Sequence, residues 1–307
     1  MAGLFNGLGS VHRNGFAAID SATGQILPWN PAQSGFVGVK RMFARGDSLF
    51  ILGYTSLESD CIVNNYSAAL QIYSRSTGNL LYSMGTLDDI TVDSSYAYIS
   101  ASHAIRRYHL PEMAEDPSWG TNWSGAGGDH TPTWLIVRGD SVYEIGDNRF
   151  NSPCTNLIDR QGYFITYDKA TGSYHSFYTY EDSDPIYDVV AFERGLLLGN
   201  KLFVQGSFSS LNGQQRPDLA CIDVTTGALT SWTPVYPNYT GASLPFNRTS
   251  PLRLFGNRIW FGSQTNNGVQ SSNCLWKIRR SRSFCARRLL DRCDEWRTNR
   301  GQTLARL

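Results

Sequence analysis

Apolar residues along the chain come in short runs broken by Gly-Asp, Gly-Asn and Thr-Gly pairs, and helical periodicity is absent throughout. Residues 36–43, FVGVKRMF, lead to Gly46-Asp47; LFILG follows, then a polar stretch, AALQIY, a Ser-Thr-Gly turn and NLLYS. This reads as four short strands, because Asx side chains bond the local backbone in hairpin turns and Gly accepts positive φ at little cost. The same opening recurs as RGDSLFILG, RGDSVYEIG, GNKLFVQG and GNRIWFG, with turns at Gly46, Gly139, Gly199 and Gly256, and VDSSYAYIS near Val92 fills the widest gap. The repeating unit is about fifty residues long.

One copy is restated almost whole. Residues 3–31 align with residues 206–234 without a gap, and eleven positions are identical, among them Phe5/Phe208, Arg13/Arg216, Asp20/Asp223, Gly24/Gly227, Trp29/Trp232 and Pro31/Pro234. Weaker copies of the same run, turn and second run begin at Ala68 and Gly162. Asp20, Asp168 and Asp223 are therefore expected in equivalent hairpins, with Gly24, Gly172 and Gly227 at positive φ. A lone four-stranded sheet cannot bury both faces, whereas radial stacking of such sheets does so. The expected fold is all-β: a β-propeller of four-stranded blades, about five to six repeats of about 50 residues with the first and last incomplete. A β-sandwich is the competing architecture. Turn chemistry fails after CLWKI, so the expected division is a propeller over residues 1–278 and an Arg-rich, non-propeller tail over 279–307.

The stretch GSFSSLNGQQRPDLACIDVTTGALTSWTP resembles the blade signature of secreted bacterial delta-60-type propeller repeats, in which a G-x-F, a polar loop, Arg, an apolar strand, Asp-x-x-Thr-Gly and Trp-x-Pro recur. Its Asp-x-x-Thr-Gly-x-x-x-x-Trp portion also resembles pyrroloquinoline-quinone-type propellers. The resemblance implies an extracellular or cell-surface module of a larger multidomain protein, binding a glycan, protein or other ligand rather than catalysing a reaction; a propeller hydrolase acting on carbohydrate and a purely structural spacer in a larger assembly are the alternatives. The quinone-dependent enzymes often carry adjacent Cys residues, and this chain has no such pair.

Charge narrows the ligand classes. The 307 residues carry a net +1, which excludes a nucleic-acid footprint for the chain as a whole. Nine Arg fall between Arg279 and Leu307 against Asp291, Asp294 and Glu295, leaving the body mildly acidic. An uncharged or calcium-bridged ligand is the expectation from that balance. No run approaches the ~20 apolar residues of a membrane span, and no secretory signal is visible in MAGLFNGLGSVHRNG, as for a chain truncated at its start. The six Cys lack metal-ligand spacing. Sequons stand at Asn65, Asn122, Asn238 and Asn247.

Three tryptophans are the candidate ligand-binding residues. Trp119, Trp123 and Trp134 fall in or beside an inter-blade connection rich in Asn, Asp and Gly, where an exposed indole would stack on a sugar or anchor a partner. Plugging gaps between blades is the alternative role. Asp182 and Asp184, in YEDSDP, are the candidate calcium ligands, since hard cations favour clustered oxygens. With Glu181, and with Asp88, Asp89 and Asp93 of TLDDITVD, they are also the carboxylates a glycoside hydrolase would need. The two RGDS tetrapeptides fall on repeat turns. Long polar loops between second and third strands, about residues 54–66, 147–162, 207–218 and 263–273, are expected on one rim.

Overall fold

The computed structural model describes residues 7–13, 15–31, 35–36, 38–55, 68–102, 104–121, 129–151, 158–181, 190–233, 252–255, 258–261 and 274–277. Among them, five antiparallel sheets of three or four strands follow one another along the chain. The first joins Gly38–Arg45, Ser48–Tyr54, Ala68–Ser74 and Leu80–Leu87. The second joins Asp89–Val92, Tyr96–Ala101, Ala104–His109 and Ala114–Gly120, and the third joins Asp129–Arg138, Ser141–Asn151, Ile158–Asp168 and Tyr174–Tyr180. The fourth has Ala191–Leu198, Lys201–Ser207 and Leu219–Asp223, with a bridge from Ile222 to Leu229 outside the last. The fifth has Leu252–Phe255, Arg258–Phe261 and Cys274–Lys277. In each, strands adjacent in sequence are paired in space.

Alternate residues of the middle strands face alternate neighbours, which is why these strands read as unbroken apolar runs. In the first sheet Ile51 packs with Phe16 and Trp29 of the N-terminal copy, while Phe50 and Leu52 pack with Ile90, Ala97 and Ile99 of the second sheet. Tyr98 and Ile105 of the second sheet turn to Val142, Tyr163 and Ile165 of the third. Ile145 and Phe164 continue to Phe192 and Val204 of the fourth, and Phe203 and Leu219 to Leu252 and Ile259 of the fifth. Each inner sheet thus buries both faces against its predecessor and successor. The first strand of the third sheet also lies against the first strands of the second and fourth. The fold is a propeller-like series of sheets side by side.

The repeat turns have one geometry. Gly24, Gly172 and Gly227 have φ of +70°, +75° and +70°, and each donates its N–H to the carbonyl of Asp20, Asp168 or Asp223 at 2.8 Å. The Asp20 and Asp168 carboxylates accept the N–H three residues on, of Thr23 and Thr171, and those of Asp20 and Asp223 accept the N–H two residues on, of Ala22 and Thr225. Hydrogen bonds from Thr23 hold the Asp20 carboxyl below its ordinary value, and those from Thr171 do the same for Asp168. Ser74 and Gly78 (φ +78°) build the equivalent turn in the first sheet. In the second sheet His109 and Met113 occupy it, with Met113 at φ +56° and its N–H on the His109 carbonyl.

Three of these turns, at Ser74, Asp168 and Asp223, are docking points for the unit before. The Trp29 indole donates to the Ser74 carbonyl (3.1 Å), the Trp119 indole to the Lys169 carbonyl (3.0 Å), and the Tyr180 hydroxyl to the Gly227 carbonyl (2.7 Å). The aromatic rings lie against the glycine: a Cβ on Gly172 would sit 3.2 Å from Trp119 Cε2. The N-terminal copy repeats residues 206–234 in detail. Hairpins Gly7–Leu8/Val11–His12 and Ser210–Leu211/Gln214–Gln215 correspond, as do the bridges Ile19–Ile26 and Ile222–Leu229. Arg13 and Arg216 each donate to a carbonyl fourteen residues on, Leu27 and Thr230.

Arg107 ties the second sheet to the third. It donates to Asp116 and to the Lys169 carbonyl, with its guanidinium 4.4 Å from the Tyr96 ring centroid. The Ser118 hydroxyl, then Arg107, hold the Asp116 carboxyl down to about 2. A lowered folded-state value means that this contribution is present above the unfolded carboxylate range, near pH 4, and is lost as pH falls through about 2. Acid titration followed by near-ultraviolet circular dichroism is expected to show an aromatic change in that window, from Tyr96 and Trp119, and Asp116→Asn should remove it.

Candidate functional site: an arginine cluster on the inner strands

The first hairpin of each sheet sets a common register. The last residue before its turn is Arg45, Asp93, Arg138 and Leu198 in the first four sheets, each facing the residue that opens the second strand. Four positions earlier stand Arg41, Asp89, Trp134 and Arg194. In the first, third and fourth sheets a β-bulge falls immediately before this position, between Val39/Arg41, Pro132/Trp134 and Phe192/Arg194. A bulge adds one unpaired residue and re-aims the side chain that follows. Equivalent positions on neighbouring inner strands bring the four side chains together.

Asp89 is fully buried at the centre of this group. Arg41 Nη1 donates to Asp89 Oδ2 and, at 2.9 Å, to the Leu135 carbonyl. The Leu135 N–H donates to the same carboxylate oxygen at 2.6 Å. Lys40 Nζ stands 3.7 Å from Asp89 Oδ1 and donates to the Asp88 carbonyl. The carboxylate therefore clasps the inner strands of three sheets. Trp134 holds two guanidiniums: that of Arg41 is 4.0 Å from its ring centroid and that of Arg194 is 5.3 Å away.

A cavity of 320 Å³ opens beside this cluster, lined by Arg41, Phe43, Arg45, Thr91, Trp134 and Arg253 among others. Arg253, on the inner strand of the fifth sheet, stands two positions before Phe255, in the register of Phe43 and Thr91. Burial lowers the Lys40 ammonium below its ordinary value against the pull of Asp89. Burial, then the Arg253 charge, pushes Arg194 down to about 10. Burial and the Arg41 charge lower Arg253 in turn. The guanidiniums feel one another.

The sequence candidates are divided. Trp134 lies on the cavity wall, its own surface 4% exposed. Trp119 ends the outer strand of the second sheet, is 3% exposed, and fills the gap to the third sheet with an edge-on contact to Tyr98. The strands run further than the long connection expected there, to Gly120 on one side and from Asp129 on the other. Trp123, Asp182 and Asp184 lie outside the described residues, as do the four sequons, Cys61, Cys154 and residues 279–307. Among the described residues no group of three His, Cys, Asp or Glu side chains converges on a metal-sized site. Asp93 bonds the N–H groups of Ser95 and Tyr96 and pairs with Lys169 at 3.1 Å. Both RGDS segments form hairpin turns, and Cys221 is a buried free thiol.

Arg41, Arg194 and Arg253 were not singled out by sequence. The signal that finds the first two is register: counting back five residues from the recurrent turns at Gly46 and Gly199 reaches Arg41 and Arg194, whereas Arg253 stands three residues before Gly256, at the position of Phe43.

No family model matches the chain, and no curated protein matches it. Among solved structures it is similar to the CNH domain of AfRom2, with 7% identity, covering 86% of this chain and 71% of that one at a TM-score of 0.46. It is similar also to the β-propeller domain of the Trilobed protease from Pyrococcus furiosus (8% identity, 79% and 69% covered, TM-score 0.42). Drosophila Semaphorin 1a, extracellular domains 1-2, is a third (12% identity, 74% and 52% covered, TM-score 0.33). Likenesses this remote define no family and carry no functional argument. Among the described residues no helix is long and apolar enough to cross a membrane.

Proposed function

We propose that this chain is a non-enzymatic binding module of an extracellular or cell-surface multidomain protein, a propeller of about five to six blades allied to the delta-60-type and quinone-type repeats. Its ligand, a glycan or another small molecule, enters the cavity beside Trp134. The observation that carries this reading is the convergence of Arg41, Asp89, Trp134 and Arg194 from one register position on four inner strands beside an open cavity. Rigid scaffolds concentrate binding groups where equivalent elements meet. A calcium ion between Asp182 and Asp184, and ligand contacts from Trp123, belong to the same reading as expectations from the sequence.

Two of the carboxylates that a hydrolase would use are engaged in structural contacts, which favours binding over cleavage. Asp89 is held by Arg41, Lys40 and the Leu135 N–H, and Asp93 by a turn and Lys169. The test is prolonged incubation of the full chain with neutral and acidic oligosaccharides, followed by mass spectrometry of both protein-bound and free ligand. Retention with complete recovery of intact ligand is expected; accumulation of cleaved product would replace the binding module with an enzyme.

A further inference from the structure

We infer that the cavity between Arg253 and Trp134 is an oxyanion site, taking a carboxylate, sulfate or phosphate group on a small ligand. The inference rests on the binding reading above and adds the chemistry of the group recognised.

The argument starts from the charges facing the cavity and the strands behind it. The cations are Lys40, Arg41, Arg45, Arg194 and Arg253; the anions are Asp88, Asp89 and Glu193. Asp89 accepts from Arg41 and the Leu135 N–H on one oxygen, and Lys40 stands 3.7 Å from the other, which accepts no hydrogen bond among the described residues. Arg45 uses its Nε on the Asp93 carbonyl. Arg253 donates to the carbonyl of its own neighbour, Leu252, at 3.0 Å, and among the described residues it joins no ion pair. Its guanidinium stands at the cavity wall with Arg41, under mutual repulsion with Arg41 and Arg194.

Like charges crowded beside an open space are costly unless something negative enters it. A planar guanidinium offers paired N–H donors that match the geometry of a carboxylate, sulfate or phosphate, and such charge-assisted bonds are the stronger kind. Trp134 fixes the orientation of the forks by holding Arg41 and Arg194 at its ring. Phe43, stacked on Phe50 at 5.1 Å, gives the cavity an apolar wall for the body of the ligand. At 320 Å³ the space lies at the small end of ligand pockets, which run about 300–1,000 Å³. It therefore fits a single acidic sugar, or the acidic end of a chain, better than a long polyanion.

The experiment titrates the full chain with sulfate, phosphate, D-glucuronate and neutral methyl glucoside, at constant ionic strength set by chloride, reading heat of binding and melting temperature. Arg253→Gln and Arg253→Lys are compared with Arg106→Gln, which alters a distant surface ion pair to Glu115. Saturable binding of at least one oxyanion is expected, weakened about tenfold or more in Arg253→Gln, less in Arg253→Lys, and unchanged in Arg106→Gln. Without anion, Arg253→Gln should melt no lower than the parent, since the change relieves repulsion. The preferred probe separates a carboxylate sugar from a free phosphate or sulfate. Methyl glucoside binding equally well in parent and Arg253→Gln would overturn the oxyanion while leaving the binding module intact. Anion-induced shifts equal in parent and Arg253→Gln would overturn the site itself, and no saturable binding by any probe would overturn both readings.

Discussion

Asp89→Ala is expected to destabilise the chain by about 3–5 kcal/mol, the cost of breaking a buried ion pair from one side. The residue is fully buried and accepts from Arg41 and from the Leu135 N–H, with Lys40 beside its second oxygen. Its removal leaves two cations and a backbone donor uncompensated at the junction of three inner strands. Asp89→Asn keeps an acceptor for the Leu135 N–H but loses the charge, so a smaller loss is expected. Urea denaturation of both variants measures the difference through the midpoint, provided the slope is unchanged. A loss below about 1 kcal/mol in Asp89→Ala, the range of an exposed surface pair, would mean that the carboxylate does not organise the cluster.

Gly227→Ala has the next largest expected effect, about 2–4 kcal/mol, combining left-handed strain with overpacking. The backbone there has φ +70°, and an added Cβ would meet Tyr178 Cδ1 at 2.0 Å. Tyr178 is packed against Phe164 and its neighbour Tyr180 bonds the Gly227 carbonyl, so the ring cannot withdraw without opening the joint between third and fourth sheets. Gly24→Ala is the control. It has the same φ of +70° with nothing within 4 Å, so only the backbone cost of about 1 kcal/mol applies. Equal losses at the two positions would show that the aromatic of the preceding unit does not clamp the turn.

These two sites differ in how far sequence reached them. The Asp-x-x-Thr-Gly turns were legible because their chemistry is local: the carboxylate, the threonine and the glycine that make the turn lie within five residues. The Gly-Asp and Gly-Asn turns were legible for the same reason, and with them the order of strands. The turn in the second sheet escaped, since His109 and Met113 reproduce its backbone without Asp or Gly, and burial of Met113 against the first two sheets supplies what glycine supplies elsewhere. Composition around Trp119 left ligand contact and gap-plugging both open, and its indole takes the second role; neighbouring polar residues report the outer side of an edge strand, not the direction of the ring.

The cluster beside Trp134 was hidden for a different reason. Arg41, Asp89 and Leu135 are brought together by register across separate sheets, and the bulges before Arg41, Trp134 and Arg194 break the two-residue alternation by which a buried position is normally recognised. Net charge concealed this distribution as well. The body is mildly acidic on average, whereas its inner strands gather Lys40, Arg41 and Arg194 around one buried carboxylate, with Arg253 beside Arg41.

Hydrogen exchange of the full chain, with and without the best-binding probe of the titration, bears most directly on the inner-strand location of the ligand. The account predicts added protection in peptides covering residues 38–45, 89–92, 129–138 and 252–255, the strands that carry Arg41, Asp89, Trp134 and Arg253. Protection confined to residues 54–67, 152–162 and 207–218, with the inner strands unchanged, would contradict it and move the binding site to the blade rims.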